Sequence, residues 1–252
     1  MPFPAAVPDC TYGTPHFVYS TVGSTNDLAK LWALAGAPPG TLITASHQTD
    51  GRGRRGRDWA DIPSESAIMT FIARPPLPLV EVWKVPFAAS YAVMLAIRSL
   101  GAPVQLKWPN DVVAGGRKLA GILVETVAGA SSERNALIGI GVNVAQTGFE
   151  GGDSFLFTPT SLRLELGSSA PSVNITVSAV ADALTETMPR LATASLWESL
   201  AADWGAEMLT GIEQSGITAT GEPISGVIHG MRAADGSALL DTSQDIVHAW
   251  PR

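Results

Sequence analysis

The residues Gly51-Arg-Gly-Arg-Arg-Gly-Arg57 decide between two fold classes. Their first six match the G-x-G-x-x-G pattern of dinucleotide-binding folds, in which a helix begins directly after the loop and its N-terminus binds a pyrophosphate. Here the loop is followed by Asp58-Trp-Ala-Asp-Ile-Pro-Ser64, which lacks an apolar helical period and contains a proline. The sequence therefore excludes a Rossmann-type helix at this point and predicts a glycine-rich loop, named here the arginine loop (residues 51–57).

The arginine loop holds four of the 16 Lys and Arg residues in a chain with 23 Asp and Glu and a net charge of −7. Without those four cations the rest of the chain carries −11. Arginine stays protonated and binds carboxylate or phosphate oxygens through two parallel N–H donors. We therefore interpret the loop as a ligand-binding anion site. A solvated basic turn and a nucleic-acid contact are the alternatives, and the acidic remainder of the chain argues against the second.

The composition sets limits on the class of protein. With 252 residues, 46% of them hydrophobic and 15% charged, the chain has a sizeable core and is not disordered. The apolar stretch between Lys84 and Arg98 holds 13 residues, too few to span a bilayer. The N-terminus has no basic region followed by a long apolar run, as a secretory signal would. Its one cysteine, Cys10, permits no internal disulfide and no cysteine-based zinc site. We expect a soluble, cytoplasmic protein with no membrane partner.

Hydrophobic periodicity and turn residues predict alternating strands and helices around the arginine loop. Ser24 followed by Asp27 is a capping-box pattern that opens the first helix. Gly101 is placed to end the second helix, and Pro189 to interrupt the third. The predicted strands are 17–19, 41–45, 67–73, 104–108, 118–127 and 136–144, and the predicted helices are 24–36, 83–100 and 176–203.

After Gly205 the pattern changes to short β-type runs separated by glycine-rich turns. A small all-β unit of about 40–45 residues fits this pattern. We therefore divide the chain into residues 1–207 and 208–252. The short runs predicted as strands are 217–220, 223–228, 238–240 and 246–249.

Two lysine segments lie on either side of a predicted hairpin turn at 114–117. If the hairpin forms, Lys107, Asp111 and Lys118 surround one pocket at the strand ends. Lysines there suit a phosphate or carboxylate charge, and Asp111 suits a metal ion or a proton transfer. Turn chemistry with solvated lysines is an equally good interpretation of these segments taken alone.

Two further segments are ambiguous on their own. Ser24-Thr-Asn26 either caps a helix or binds a neutral polar group such as a urea carbonyl. The glycines of Gly139-x-Gly-x-Asn143 allow either a close backbone approach to a ligand or tight strand packing.

Taken together, the segments are much more specific, since they occur in one order and spacing: Ser24-Thr-Asn26, Gln48-Thr-x-Gly-Arg-Gly-Arg-Arg-Gly-Arg-x-Trp59, Lys107-Trp-Pro-Asn-Asp111, Lys118-Leu-Ala-Gly-Ile-Leu-Val-Glu125 and Gly139-x-Gly-x-Asn143. This set resembles the biotin protein ligases over residues 17–250. The resemblance implies an α+β fold of the class II synthetase-like, biotin–lipoate ligase type: a mixed central β-sheet backed by helices. A small C-terminal SH3-like β domain would follow the sheet.

The resemblance also implies a reaction and its partners. Biotin and MgATP would give biotinyl-5′-adenylate and pyrophosphate, and the biotinyl group would pass to one lysine of a biotin carboxyl carrier protein, releasing AMP. No metal-ligating residue is assigned. The implied catalytic residues are Lys118, Arg54, Asp111 and Lys107; the biotin-binding residues are Ser24, Thr25, Asn26, Gln48, Gly51, Arg52, Gly53, Arg54, Lys118, Gly121 and Gly139; the nucleotide-binding residues are Arg52, Arg55, Arg57, Trp59, Asn110, Lys118 and Asn143.

Several alternatives accompany this resemblance. Lipoate protein ligases share the fold, but a different Arg-Arg-x-x-Gly-Gly-type loop is expected of them. An idle biotin or nucleotide sensor would have no need of Lys118, Asp111 and the full arginine loop. Only 23 residues precede Ser24, so we expect no DNA-binding winged helix and no nucleic-acid partner. The resemblance leaves a monomer and a homodimer equally open.

Overall fold

The computed structural model describes residues 11–59, 61–128, 134–149, 158–242 and 245–251. Cys10 lies outside these residues. The helices are α1 (Thr25–Leu34), α2 (Val85–Ser99), α3 (Leu162–Leu166), α4 (Val173–Thr187) and α5 (Ala194–Ala206). The strands are β1 (His16–Val22), β2 (Leu42–Gln48), β3 (Ser66–Ala73), β4 (Gln105–Lys107), β5 (Asp111–Ala114), β6 (Arg117–Ala128), β7 (Arg134–Asn143), β8 (Glu213–Ile217), β9 (Pro223–Met231), β10 (Ala238–Asp241) and β11 (Ile246–Ala249).

The first seven strands form one mixed sheet in the order β1-β2-β3-β7-β6-β5-β4. β1 and β2 are parallel, and every other neighbouring pair is antiparallel. All eight residues of β3 are buried, as expected for a central strand covered on both faces. α2 and α4 contribute to the large core on one face, and Ala29 and Ala33 of α1 pack against the other. The predicted α+β class with a mixed sheet backed by helices is confirmed.

One helical run of the described residues, Leu79–Ser99, is long and apolar enough by composition to cross a membrane. It joins a 3-10 turn at Leu79–Lys84 to α2, and 61% of its most apolar stretch is buried inside the protein. Among its buried side chains are Met94 and Ile97, which belong to the large core. This burial is that of a core helix.

The predicted hairpin forms, but one strand was missed. Gly115 and Gly116 have positive φ and make the turn between β5 and β6. The interpretation of this segment as turn chemistry is wrong for Asp111, because Asp111 begins β5 and pairs with Lys107 of β4. The turn between these strands is confined to residues 108–110. A four-residue strand is too short to show a clear alternation in the sequence.

The last four strands form an antiparallel sheet in the order β11-β10-β9-β8, which agrees with the predicted small β unit. The strand predicted at 217–220 is wrong. Thr218 begins a turn, and Gly221, at φ +86°, donates a hydrogen bond to the carbonyl of Thr218. β8 instead occupies the residues just before this turn. The division of the chain at 207/208 remains a prediction.

Buried tryptophans join the small sheet to the rest of the protein. Trp108 donates its indole N–H to the carbonyl of Gly236 at 3.0 Å, and Trp197 donates to the carbonyl of Ala233 at 2.8 Å. A side chain at Gly236 would come within 2.9 Å of the ring of Phe87, so only glycine fits this packing. Because Trp108 follows directly after β4, these contacts fix the small sheet against the strand end that carries Lys107.

Candidate active site

A cavity of about 380 Å³ opens where the large sheet, the N-terminus of α1 and the arginine loop meet. Such a volume is typical of a small-molecule site. Its lining contains a patch of neutral polar side chains and a strongly charged group at the ends of β4, β5 and β6. β8 and Pro251 of the small sheet complete the wall.

The neutral patch is a buried hydrogen-bond network between α1, β2 and β3. Gln48 Oε1 accepts from the backbone N–H of Thr25 at 2.8 Å and from its hydroxyl at 3.0 Å. Thr70 Oγ1 donates to Asn26 Oδ1 at 2.7 Å, and Asn26 Nδ2 donates to Glu125 at 2.6 Å. Because each amide is held by two partners, the network presents fixed donors and acceptors to the cavity.

Gly139 of β7 lies directly beneath this network. A Cβ at this position would stand 2.4 Å from Asn26 Oδ1, which real side chains essentially never allow. The glycine is therefore required for Asn26 to lie flat on the sheet. The group that approaches Gly139 in the structure is the Asn26 side chain, and a close approach of a ligand to this glycine remains a prediction.

Ser24 occupies the N-cap position of α1, but its side chain makes no capping hydrogen bond. The predicted start of the helix at Ser24 is confirmed, but the capping-box hydrogen bonds are not made, because the Asp27 carboxylate has another partner. Asp27 binds Arg52 of the arginine loop, and the first free N–H of the helix, that of Thr25, is satisfied by Gln48. Ser24 is 4% exposed and lines the cavity.

The charged group consists of Lys107, Asp111 and Lys118, as the hairpin predicted. Lys107 and Asp111 are register partners on β4 and β5, and Lys118 Nζ lies 2.8 Å from Asp111 Oδ1. Burial lowers the pKa of Lys107 to about 8, with Asp111 opposing and Lys118 and Arg57 adding to that shift. One carboxylate thus faces two lysines, and the group keeps a net positive charge.

The arginine loop is folded back on itself over the cavity. The N–H of Trp59 donates to the carbonyl of Gly51 at 2.8 Å, and the N–H of Gly53 donates to Arg57 at 2.6 Å. A Cβ at Gly51 would lie 2.6 Å from the carbonyl oxygen of Trp59. Gly51 therefore permits the two ends of the loop to close on each other, and it does not line the cavity.

The arginines of the loop have different partners. Arg52 pairs with Asp27 at 2.6 and 2.8 Å. Arg54 donates to Asn110 Oδ1 at 2.8 Å, and Asn110 in turn donates to the carbonyl of Ile122 at 2.6 Å. Burial lowers the pKa of Arg54, and the nearby arginines lower it further. The loop is thus tied to α1 on one side and to the β4–β5 turn on the other.

Trp59 lines the cavity and packs against β6 and β7 at Gly121 and Gly141. A Cβ at Gly141 would come within 2.4 Å of its ring, and one at Gly121 within 3.1 Å. Lys118 Nζ stands 5.7 Å from the ring centroid, which is cation–π distance. Among the described residues, none accepts a hydrogen bond from its buried Nε1. Gly141 is a site residue that we did not single out, although it lies within the glycine motif of β7.

The cavity brings together most of the predicted residues and leaves out two. Gly51 closes the loop, and Asn143 lies beyond the lining, where its amide donates to the carbonyl of Thr160 at 2.9 Å. Asn143 therefore ties β7 to the segment that pairs with Lys118. The predicted residues in the lining are Ser24, Thr25, Asn26, Gln48, Arg52, Gly53, Arg54, Arg55, Arg57, Trp59, Lys107, Asn110, Asp111, Lys118, Gly121 and Gly139.

The residues that β8 contributes to the cavity were not predicted. Glu213, Gln214 and Ser215 line the cavity, and the Nε2 of Gln214 is buried with no hydrogen-bond partner among the described residues. No recognisable motif surrounds them. Only the packing of the small sheet against the strand end brings them to the cavity.

The described residues contain no group of three or more His, Cys, Asp and Glu side chains placed to hold a metal ion. Asp111 is the carboxylate of the charged group, and Lys118 already pairs with it. Mg²⁺ is usually held by one or two carboxylates together with substrate phosphates. The donor set therefore fits magnesium that enters on a nucleotide, and it does not fit a resident metal centre.

Comparisons with known proteins agree with this geometry. The model of the biotin/lipoate A/B protein ligase family matches residues 18–143. The chain is 36% identical over 199 residues to the biotin–[acetyl-CoA-carboxylase] ligase of Mycobacterium tuberculosis, covering 77% of this chain and 70% of that protein. It is 38% identical over 149 residues to the bifunctional ligase/repressor BirA of Bacillus spizizenii, covering 58% and 46%. The chain thus spans about half the length of that bifunctional relative.

Solved structures with the same fold include the biotin protein ligase from Aquifex aeolicus in complex with biotin and ATP. The TM-score is 0.77 at 25% identity, over 93% of this chain and 95% of that one. The R40G mutant of that ligase in complex with biotin gives a TM-score of 0.75 at 25% identity, over 94% and 95%. The similarity therefore includes the small C-terminal sheet as well as the large one.

Proposed function

The chain belongs to the biotin/lipoate A/B protein ligase family, and on that premise we propose that it is a biotin–protein ligase. It activates biotin with MgATP to biotinyl-5′-adenylate and transfers the biotinyl group to a lysine of a carrier protein. The observation that supports this most directly is that one cavity contains both a neutral hydrogen-bonding patch and a cationic group. An uncharged ring system with a carboxylate tail requires that combination.

The neutral patch suits the head of biotin. A ureido group has one carbonyl acceptor and two N–H donors, and Ser24, Thr25, Asn26 and Gln48 offer polar atoms in a buried setting. A site built to hydrogen-bond a ligand rejects an analogue that lacks the matching groups, because its own buried atoms are then left unpaired. The dithiolane ring of lipoate has no N–H and no carbonyl. We therefore assign biotin as the substrate.

The charged group suits the first reaction step. A carboxylate oxygen of biotin attacks the α-phosphorus of ATP, the bond to the β-phosphate oxygen breaks, and pyrophosphate leaves. Both reactants are anionic, so Lys118, Lys107 and Arg54 lower the barrier by offsetting the developing charge. Magnesium bound to the nucleotide neutralises further phosphate charge. Asp111 holds Lys118 in place through the 2.8 Å ion pair.

The second step requires the adenylate to survive until the carrier arrives. The lysine amine of the carrier attacks the acyl carbon, and AMP leaves with the bond between acyl carbon and phosphate oxygen broken. The folded arginine loop covers the cavity, and Trp59 fills the floor beneath it. A closed loop excludes water from the mixed anhydride.

The remaining partners and the location follow from the same proposal. We infer that the carrier is a biotin carboxyl carrier protein and that the reaction takes place in the cytoplasm. The net charge of −7 argues against nucleic acid as a partner.

The test is pyrophosphate release from MgATP in the presence of biotin, lipoate or neither, with no carrier added. We expect release that depends on biotin alone, followed by a mass increase of a purified carrier domain when it is supplied. Release with lipoate alone would move the chain to the sister activity. Tight biotin binding without release would make it a sensor and overturn the catalytic assignments.

A further inference from the structure

Arg52 and Asp27 form a paired contact between the arginine loop and the first turn of α1. Arg52 Nη2 lies 2.6 Å from Asp27 Oδ1, and Arg52 Nη1 lies 2.8 Å from Asp27 Oδ2. Two parallel N–H···O bonds of this kind fix both the distance and the orientation of the two groups. Thr25 and Asn26, the neighbours of Asp27 on α1, line the cavity. The contact therefore ties the loop to the wall of the neutral patch.

Carboxylates surround Arg52. Asp50 lies 3.3 Å from its Nη1, and the charge of Glu125 also acts on it. The hydrogen bond to Asp27 is the largest influence that raises the pKa of Arg52, and the same bond lowers the pKa of Asp27. The positive charge of Arg52 is thus already compensated by the protein. An arriving carboxylate or phosphate would have to displace Asp27 to use it.

Arg54 has different neighbours, among them a neutral amide, two arginines and the carboxylate of Asp111. Its guanidinium is largely buried, its contact with Asn110 is to a neutral amide, and Arg55 and Arg57 stand near it. Asp111 acts on it as a carboxylate, but that carboxylate is shared with Lys118. Arg54 therefore lies near the charged group of the cavity, whereas Arg52 lies against α1. Two arginines of one loop, two positions apart, have different electrostatic tasks.

We propose that Asp27 is a positioning residue and that its ion pair with Arg52, named here the latch, holds the arginine loop closed over the cavity. Arg52 then closes the loop instead of binding the anionic part of the ligand. The latch lengthens the time for which the loop covers the cavity. This inference rests on the proposed function, because its consequence for the reaction is retention of the biotinyl-adenylate between the two steps.

The first test is Asp27→Asn, with Asp50→Asn as the matched control. Asp50 makes one contact of 3.3 Å, and its side chain is 70% exposed, so its loss should change little. We expect Asp27→Asn to raise the dissociation rate of the preformed adenylate about fivefold, since a surface pair with good bidentate geometry contributes modestly. The rate is measured by a chase of labelled adenylate. Biotin-dependent pyrophosphate release in a single turnover should stay within about twofold, because Asp27 touches no reacting group.

The second test distinguishes two roles of Arg52: closing the loop through Asp27, or binding the anionic part of the ligand. The exchanged pair Asp27→Arg with Arg52→Asp restores the contact but puts a carboxylate on the loop. We expect it to bring the adenylate half-life back toward the wild-type value, whereas Arg52→Asp alone shortens it. Failure of the exchanged pair to recover would overturn the proposal and make Arg52 a ligand for the anion.

Hydrogen–deuterium exchange of the protein without ligand tests the latch independently of the proposed ligase function. We expect the amides of residues 51–59 to exchange faster in Asp27→Asn than in Asp50→Asn or the wild type, with no change in α2. This readout needs neither biotin nor ATP. If the wild type released no pyrophosphate with biotin, the proposed function would fail, while faster exchange would still support the latch. Equal exchange rates in all three proteins would overturn the latch.

Discussion

Lys118 Nζ lies 2.8 Å from Asp111 Oδ1, and the two residues belong to neighbouring strands whose pairing shifts by one position beside them. This register shift, between Val112 and Val113, brings Lys118 onto the cavity side of the hairpin. Its Nζ also lies over the ring of Trp59, 5.7 Å from the centroid. Lys118 is therefore held by a carboxylate on one side and an aromatic ring on the other, with its ammonium group directed at the cavity.

Lys118→Ala is expected to slow adenylate formation on the order of 10²-fold, because it removes a preorganised charge from the site where phosphate charge develops. The measurement is biotin-dependent pyrophosphate release at saturating substrates. Lys30→Ala, which removes an exposed lysine from α1, serves as the control and should retain the wild-type rate. An unchanged rate in Lys118→Ala would remove this residue from the reaction.

Lys107 gives the reaction a pH dependence. Burial lowers the pKa of its ammonium from 10.5 to about 8, and the protonated form is the one that offsets phosphate charge. Raising the pH through 8 therefore removes the useful charge, and kcat/KM for ATP should fall about tenfold per pH unit above that value. Below pH 7 this group should have little further effect.

Lys107→Arg is the matched variant for this pH profile. A guanidinium stays protonated across the whole accessible range, so the decline above pH 8 should disappear even if the absolute rate is lower. The same decline in Lys107→Arg and in the wild type would assign the titration to another group.

The sequence was sufficient for the parts of the fold that depend on local chemistry. The glycine pair Gly115-Gly116 marked the hairpin turn, and the largely apolar run at 67–73 marked the central strand. The predicted hairpin implied that Lys107, Asp111 and Lys118 surround one pocket, and these three residues do lie together. These features follow from residues close to one another along the chain.

Other features depend on contacts across the fold. Ser24 and Asp27 satisfy a helix-capping pattern, yet Ser24 makes no side-chain capping bond and the Asp27 carboxylate binds Arg52 from a distant position. β8 reaches the cavity only because buried tryptophans such as Trp108 fix the small sheet against the large one. No local pattern records such contacts, and tertiary packing overrides the local preference.

Arg54→Ala is expected to shorten adenylate retention by on the order of tenfold, since a largely desolvated charge-assisted contact is lost. The half-life is measured by the same chase of labelled adenylate. Arg163→Ala, an exposed arginine of α3, is the control. Because Arg54 also bonds to Asn110, Arg54→Lys tests the charge alone: it should recover part of the half-life but lose the contact to the amide. A normal half-life in Arg54→Ala would contradict the assignment.

Gly139→Ala tests the neutral patch. The added methyl group would stand 2.4 Å from Asn26 Oδ1, so Asn26 must move and release its bonds to Thr70 and Glu125. We expect the KM for biotin to rise at least about tenfold, because the patch loses its fixed donors, while the KM for ATP changes much less. Gly148→Ala is the control, since no atom lies within 4 Å of the added Cβ. Equal increases of both KM values would show that the substitution disturbs the sheet as a whole, and the assignment of this patch to biotin would then fail.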